Sequence, residues 1–340
     1  MIRYPRPLVD GDVVGVASPS AGVEAQHQVR LAVALDRVRG LGFEVRTGPL
    51  LSGSGVASGS AEARAAELMA LMTDPQVRAV VPPWGGEIAI DLLHRLDWNA
   101  LAADPTWLVG YSDISTLLLP LTLQTGGATL HGQNLMDTPY RVPAPMAPWH
   151  EVVRAAPGST ITQGASERHR SAGFDDFAAH PDIDEYALDT PGGWTRLDAS
   201  GEVEATGRLI GGCLETVSHL AGTPFGDLDR FVREHAPEGV IVYLESAESD
   251  AADVTRRLFG LRYAGWFAHA RAVLIGRTGG RDLPDWSQHD AARHALGDLG
   301  IPVLADVDCG HVPPHLSLVN GALATVIHTP ERSLLRQELR

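Results

Sequence analysis

The sequence predicts an α/β protein built as two domains, and three observations carry that prediction. Over residues 1–135 short apolar runs alternate with segments of helical period, the pattern of a parallel sheet with helices on both faces. From residue 136 to 206 that alternation is broken by Pro139, Pro143, Pro145, Pro148 and Pro157, which reads as a linker with long loops. Over residues 207–330 the alternation resumes, and a chain of 340 residues exceeds one typical core.

The elements follow in order. Val13 to Ala17 is a short apolar strand ending at Ser18-Pro19-Ser20, and Gln26 to Val38 is helical, with Leu31, Leu35 and Val38 on one face. Phe43 to Val45 gives a second strand, Ala61 to Met72 a helix, Arg78 to Val81 a third strand, Ile88 to Leu96 a helix and Thr106 to Val109 a fourth strand. In the second block the expected strands are Gly239 to Leu244, Ala272 to Gly276, Pro302 to Ala305 and Ala322 to Val326. Helices are expected near Asp250 to Leu261 and His289 to Leu299. Ligands on parallel sheets sit at the carboxyl ends of the strands. Three turns of the first block fall there: Ser18-Pro19-Ser20, Trp84-Gly85-Gly86-Glu87 and Tyr111-Ser112-Asp113.

Composition narrows the function. A net charge of −15, with 42 acidic residues spread along the chain and no basic stripe, disfavours phosphate-mediated nucleic-acid binding. Two distant cysteines, Cys213 and Cys309, define neither a disulfide framework nor a zinc site, and a reducing cytoplasm fits them. The opening Met1-Ile2-Arg3-Tyr4-Pro5 lacks the apolar core of a secretory signal, and no apolar run is long enough to cross a bilayer. The expectation is a cytoplasmic protein without membrane contact.

Chemistry concentrates at Ser112, which lies between the strand Thr106–Gly110 and the apolar stretch Ile114–Leu123. A serine at such a strand-to-helix bend is held clear of the backbone beside free N–H groups of the helix start, where an oxyanion can form. The same residue read as a helix cap needs no catalysis. A serine nucleophile also requires a base and a group to orient that base. Glu245, ending the run Val240–Leu244, and His311, in Asp308-Cys309-Gly310-His311 after a strand, are placed for both roles. Read singly, a strand-end glutamate is more often a solvated edge residue or helix cap, and a loop histidine more often a surface residue. His131, after Leu130, reads as a strand-end histidine satisfied by backbone, and His289, His294 and His315 show no metal-ligand spacing.

Six ordered motifs resemble the LD-carboxypeptidase and microcin C immunity peptidase family. They are Leu8–Ser20, Val109–Ser115, Leu130-His131-Gly132, Gly207–Gly212, Tyr243-Leu244-Glu245 and Gly310-His311, spread over residues 8 to 326. The resemblance implies an N-terminal parallel-sheet domain of flavodoxin or Rossmann type carrying the nucleophile. It also implies a C-terminal α/β domain with a small β-barrel-like core, carrying the glutamate and histidine. It further implies that Ser112 attacks a carbonyl, His311 is base and then acid, and Glu245 holds the imidazole. Backbone N–H groups of Gly86 and Asp113 would form the oxyanion hole, with Gly85 and Glu87 beside the substrate.

Departures from the family pattern bear on substrate. The cell-wall branch carries an arginine ahead of the paired glycines, whereas this chain has Pro83-Trp84-Gly85-Gly86-Glu87, so a cation suited to a substrate carboxylate is missing there. The segment Pro191–Leu197 resembles the long loop of the immunity branch, and Trp194 is expected either to stack on a nucleotide base or to anchor the linker. Cys213 stands where the family often has asparagine. The expected activity is hydrolysis of the amide between an aminoacyl or peptidyl group and a nucleotide-like moiety, by a homodimer needing neither cofactor nor metal. Release of D-alanine from a murein tetrapeptide is the second reading, and sequestration by a catalytically silent binding protein the third.

Overall fold

A computed structural model describes residues 1–340. In its first part β1 (Val13–Val16), β2 (Glu44–Thr47), β3 (Val77–Val80), β4 (Trp107–Gly110) and β5 (Thr129–His131) alternate with α1 (Gln28–Gly40), α2 (Ala61–Met72), α3 (Trp98–Ala103) and α4 (Ser115–Thr125). The five strands run parallel in the order β2-β1-β3-β4-β5. Every residue of β1, β3, β4 and β5 is buried, as strands covered on both faces must be, and this is why they read as unbroken apolar runs. The stretch expected as a helix from Ile88 to Leu96 is a 3₁₀ helix over Ala89–Arg95. Asp97 then caps the short α3, which the periodicity did not reveal, by accepting from the N–H groups of Asn99 and Ala100.

The proline-rich segment that follows contains α5 (Trp149–Val152), β6 (Thr160–Gly164), β7 (Arg168–His169), β8 (Thr190–Pro191) and β9 (Thr195–Arg196). Beyond it come β10 (Val203–Cys213), α6 (Leu214–Val217), α7 (Leu228–His235), β11 (Val240–Glu245), α8 (Ala251–Tyr263), β12 (Ala270–Gly276), α9 (Gln288–Leu296), β13 (Val303–Val307), β14 (Leu318–Asn320), β15 (Leu323–His328) and β16 (Ser333–Glu338). The second sheet has the order β6-β16-β15-β10-β11-β12-β13-β9, with β10 to β13 parallel and the rest antiparallel. No pairing joins β6 to β9, so this is an open sheet, and a closed barrel is not among its pairings. The segment expected to be linker and loops thus supplies both edge strands of the second sheet.

The two sheets are tied together at one end. β14, late in the chain, returns to pair antiparallel with β5 in the first sheet, setting Leu318 opposite His131. Ser115 Oγ, at the start of α4, accepts from the N–H of Cys213 at 3.0 Å. Apolar packing is continuous from Val14 and Leu117 to Ile210 and Val242. The ends of β4 and β5 thereby lie against those of β10 and β11. No helix is long and apolar enough to cross a membrane.

Candidate active site

β4 is buried to its end at Gly110, and the chain then turns sharply: Tyr111 is extended at φ −145°, whereas Ser112 is at φ +63°. A non-glycine residue with positive φ is strained by about 1–3 kcal/mol, and such strain persists only where the surroundings enforce it. Here α4 enforces it, being apolar and buried from Ser115 to Leu123 and therefore fixed in the core. The bend presents a half-buried Ser112 side chain at the carboxyl end of the sheet.

Asp113 welds three turns together. Its carboxylate is buried and accepts from Ser20 Oγ at 2.6 Å, from the N–H of Ala89 at 2.8 Å and from Thr116 Oγ1 at 3.1 Å. The turns after β1, β3 and β4, separate in sequence, thereby converge. Gly85 lies so close to the serine that a Cβ there would sit 2.9 Å from Ser112 Oγ and 2.9 Å from the N–H nitrogen of Asp113. Only glycine permits that approach. The N–H groups of Gly86 and Asp113 make no turn or loop hydrogen bond. Glu87 is exposed at the rim of the same cleft.

Glu245 ends β11 and is 1% exposed. His311 Nδ1 lies 2.8 Å from Glu245 Oε2, which fixes a proton on Nδ1 and leaves Nε2 bare in the neutral ring. Gly310, at φ +99°, is required for this contact, because a Cβ there would lie 2.3 Å from Glu245 Oε2. Burial alone lowers the His311 pKa, but the adjacent Glu245 carboxylate outweighs it and raises it above the ordinary value. Burial likewise works against the Glu245 anion, and His311 and His131 together overcome it, holding the carboxyl far below the usual range.

Ser112 and His311 line one cleft of about 430 Å³, together with Glu87, Arg170, Phe174 and Glu248. No hydrogen bond joins Ser112 Oγ to His311, an arrangement often completed only when substrate binds. Beside His311 a narrower recess is lined by Tyr111, Asp137, Tyr186 and His315. Burial raises the Asp137 carboxyl to about 6, against the pull of Arg30. No sequence pattern pointed to Asp137, which ends a 3₁₀ turn just after β5.

One sequence expectation needs correction, and of the two readings of Trp194 one is favoured. His131 is 1% exposed, yet neither ring nitrogen has a hydrogen-bond partner, so backbone does not satisfy it; its Nε2 points at Glu245 Oε1 from 3.7 Å, too far for a hydrogen bond. Trp194 is 6% exposed and packs with Met146, Leu209, Tyr243 and Leu304, so it offers no face to a base. Its Nε1 donates to Asp308 Oδ2 at 2.9 Å, while Arg277 donates to Asp308 Oδ1 at 2.7 Å. Trp194 therefore anchors the linker beneath the turn that carries His311. Trp194→Ala is expected to cost about 3–5 kcal/mol of stability, read as a lower Tm. It should also reduce turnover equally on substrates with and without a nucleobase, and a selective loss on the former would contradict the anchor.

A bend serine, paired glycines and a carboxylate-bound histidine, facing one another across two α/β sheets, are the furniture of a hydrolase. The chain belongs to the LD-carboxypeptidase family: the model of its N-terminal domain matches residues 14–132 and that of its C-terminal domain residues 206–326. A protein of Vibrio cholerae provisionally named a carboxypeptidase is 29% identical over 350 residues, covering 95% of this chain and 94% of that protein. The microcin C7 self-immunity protein MccF of Escherichia coli is 25% identical, covering 93% of this chain and 90% of its own. The crystal structure of an MccF-like protein from Bacillus anthracis superposes with a TM-score of 0.82 at 23% identity, covering 98% of this chain and 99% of that one, which shows a shared fold.

Proposed function

We propose that the chain is a serine peptidase in which Ser112 attacks the scissile carbonyl, His311 serves as general base and then acid, and Glu245 orients the imidazole. The observation that carries this reading is the positive φ of Ser112 in a cleft shared with a glutamate-bound histidine. A helix cap has no need of a left-handed backbone: capping residues sit in the extended region. His311 would take the hydroxyl proton at Nε2 as the tetrahedral intermediate forms, then deliver it to the leaving amine. The N–H groups of Gly86 and Asp113 would hold the oxyanion, in most such sites the largest single contribution to rate.

The substrate we favour is an aminoacyl or peptidyl group in amide linkage to a nucleotide-like moiety. Support comes from MccF, a self-immunity protein whose structures include complexes with glutamyl sulfamoyl guanosine and aspartyl sulfamoyl adenosine. With Trp194 in the core, Phe174, which is 80% exposed, lines the cleft itself, and Trp84 and Tyr186 are among the aromatic residues of the recess beside it. Names among the relatives and fold neighbours also include murein peptide carboxypeptidases, so D-alanine release is the competing substrate assignment. Incubation with aspartyl sulfamoyl adenosine and, separately, a murein tetrapeptide, followed by mass spectrometry, decides between them. Free aspartate with sulfamoyl adenosine is expected. D-alanine from the tetrapeptide alone would assign the cell-wall activity, and tight binding without products would leave a sequestering protein.

The pH dependence follows from His311, which must be neutral to accept the serine proton. Its pKa is raised in the folded protein, so kcat/KM should be full at alkaline pH and fall as pH drops through a value above the ordinary ~6.5. A pH–rate profile with its acid limb below that value would argue against His311 as the base.

A further inference from the structure

Cys213, Glu245 and His311 aim three metal-binding atoms into one space: the thiol sulfur, a carboxylate oxygen and an imidazole nitrogen all lie within 4.8 Å of one another. Cys213 is the last residue of β10 and stands in register with Glu245 at the end of β11. It is 2% exposed, and its Sγ lies 3.3 Å from Glu215 Oε2. Unpartnered buried atoms mark the space as incomplete. Glu245 Oε1 is buried without a hydrogen-bond partner, and so are both ring nitrogens of His131, whose Nε2 is 3.7 Å from that oxygen. Unpartnered buried polar atoms are costly and few in folded proteins; a neutral His131 ring carries one lone pair, so with Glu245 Oε1 it offers electron pairs that a cation can accept.

Thiolate, imidazole and carboxylate together form a donor set suited to zinc rather than to magnesium or calcium. Zinc bonds of about 2.0–2.3 Å in a tetrahedron set donors roughly 3.3–3.7 Å apart, so the 2.8 Å contact of His311 Nδ1 with Glu245 Oε2 would open as the metal enters. The charges also suit: the Cys213 thiolate and Glu245 neutralise a divalent cation, with Glu215 nearby. We propose that Cys213, Glu245 and His311 bind a thiophilic divalent cation of the zinc type, and that occupancy switches off the peptidase.

The step balances without redox chemistry. Cys213 loses its proton to solvent on binding. The Nδ1 lone pair of His311 goes to the metal in place of the Nδ1 proton, and the neutral ring then carries its proton on Nε2. That is the nitrogen which must be bare to receive the proton of Ser112. Turnover is therefore blocked while the cleft around Ser112 keeps its shape, so kcat falls and KM does not rise. This effect on turnover rests on the triad reading above; metal binding does not.

The test uses the metal-free protein titrated with cobalt(II), whose bond to a thiolate gives a charge-transfer band in the near ultraviolet, and zinc titration of turnover in parallel. The wild type is expected to show the band, and zinc to reduce kcat at least about tenfold at constant KM. Cys213→Ser, with Cys213→Ala as a second variant, should lose the band and keep its zinc-free activity. Losing a direct ligand should weaken zinc by more than the ~10- to 100-fold that a supporting residue costs. Absence of the band in folded wild type overturns the site, whatever the variants do. Equal zinc inhibition in Cys213→Ser, a rise in KM, or a band without inhibition overturns the switch. If the protein hydrolyses neither substrate, the cobalt band still decides whether the site exists.

Discussion

Ser112→Ala is expected to abolish hydrolysis, by about 10⁴- to 10⁶-fold in kcat, with the fold intact. The substitution removes the attacking oxygen and almost no packing, since the side chain faces the cleft and makes no hydrogen bond to His311. A companion variant separates the chemistry from the backbone. Ser112 sits at φ +63°, where alanine keeps the strain and glycine relieves it. Ser112→Gly should therefore be as inactive as Ser112→Ala yet more stable than it by about 1 kcal/mol, read in matched denaturant titrations. Retention of more than about a tenth of wild-type turnover in either variant would remove Ser112 from the nucleophile's role. Greater stability of the alanine variant would mean that the bend is not strained.

Much of this site could be read from the sequence because its parts occupy punctuated places. Ser112 and His311 follow strands and Glu245 ends one, and such strands announce themselves as short apolar runs: β4, β11 and β13 fall within one or two residues of the expected bounds. The sequence also placed three turns at strand ends. It did not show that Asp113 gathers them, because a carboxylate accepting from Ser20, Ala89 and Thr116 leaves no periodic trace.

What stayed hidden is non-local. β6 and β9 sit in a stretch broken by prolines, and they exist because β16 and β13 offer open edges to pair with, not because their own residues demand it. Trp194 has the same local sequence whether it stacks on a ligand or lies in a core. Asp308, more than a hundred residues away, decides the matter by accepting its indole N–H. His131 looked like a satisfied strand end because its neighbours in sequence are ordinary. Only the fold brings the end of β5 against Glu245 and leaves both its nitrogens without partners.

Glu245→Gln and His311→Ala should each approach the inactivity of the Ser112 variants, and the double variant should be no worse than the poorer single. In a triad the second removal finds the machinery already disabled, so losses do not multiply. Glu245→Gln is the more informative of the two because it preserves shape. Glu245 now does two things: it fixes the Nδ1 proton through a 2.8 Å contact, and its charge raises the His311 pKa against burial, which lowers it. A glutamine ends both while the burial stays. The ring can then carry its proton on Nε2, which costs turnover by about 10⁴-fold in comparable sites. The sign for residual activity is fixed as well. With the carboxylate gone, the lowering influence of burial is opposed only by the smaller raising pulls of Glu215 and Asp137, so the acid limb of the variant's pH profile should move to lower pH than in the wild type. Multiplicative losses in the double variant, or an acid limb that stays in place, would show that Glu245 supports the fold and does not act through His311.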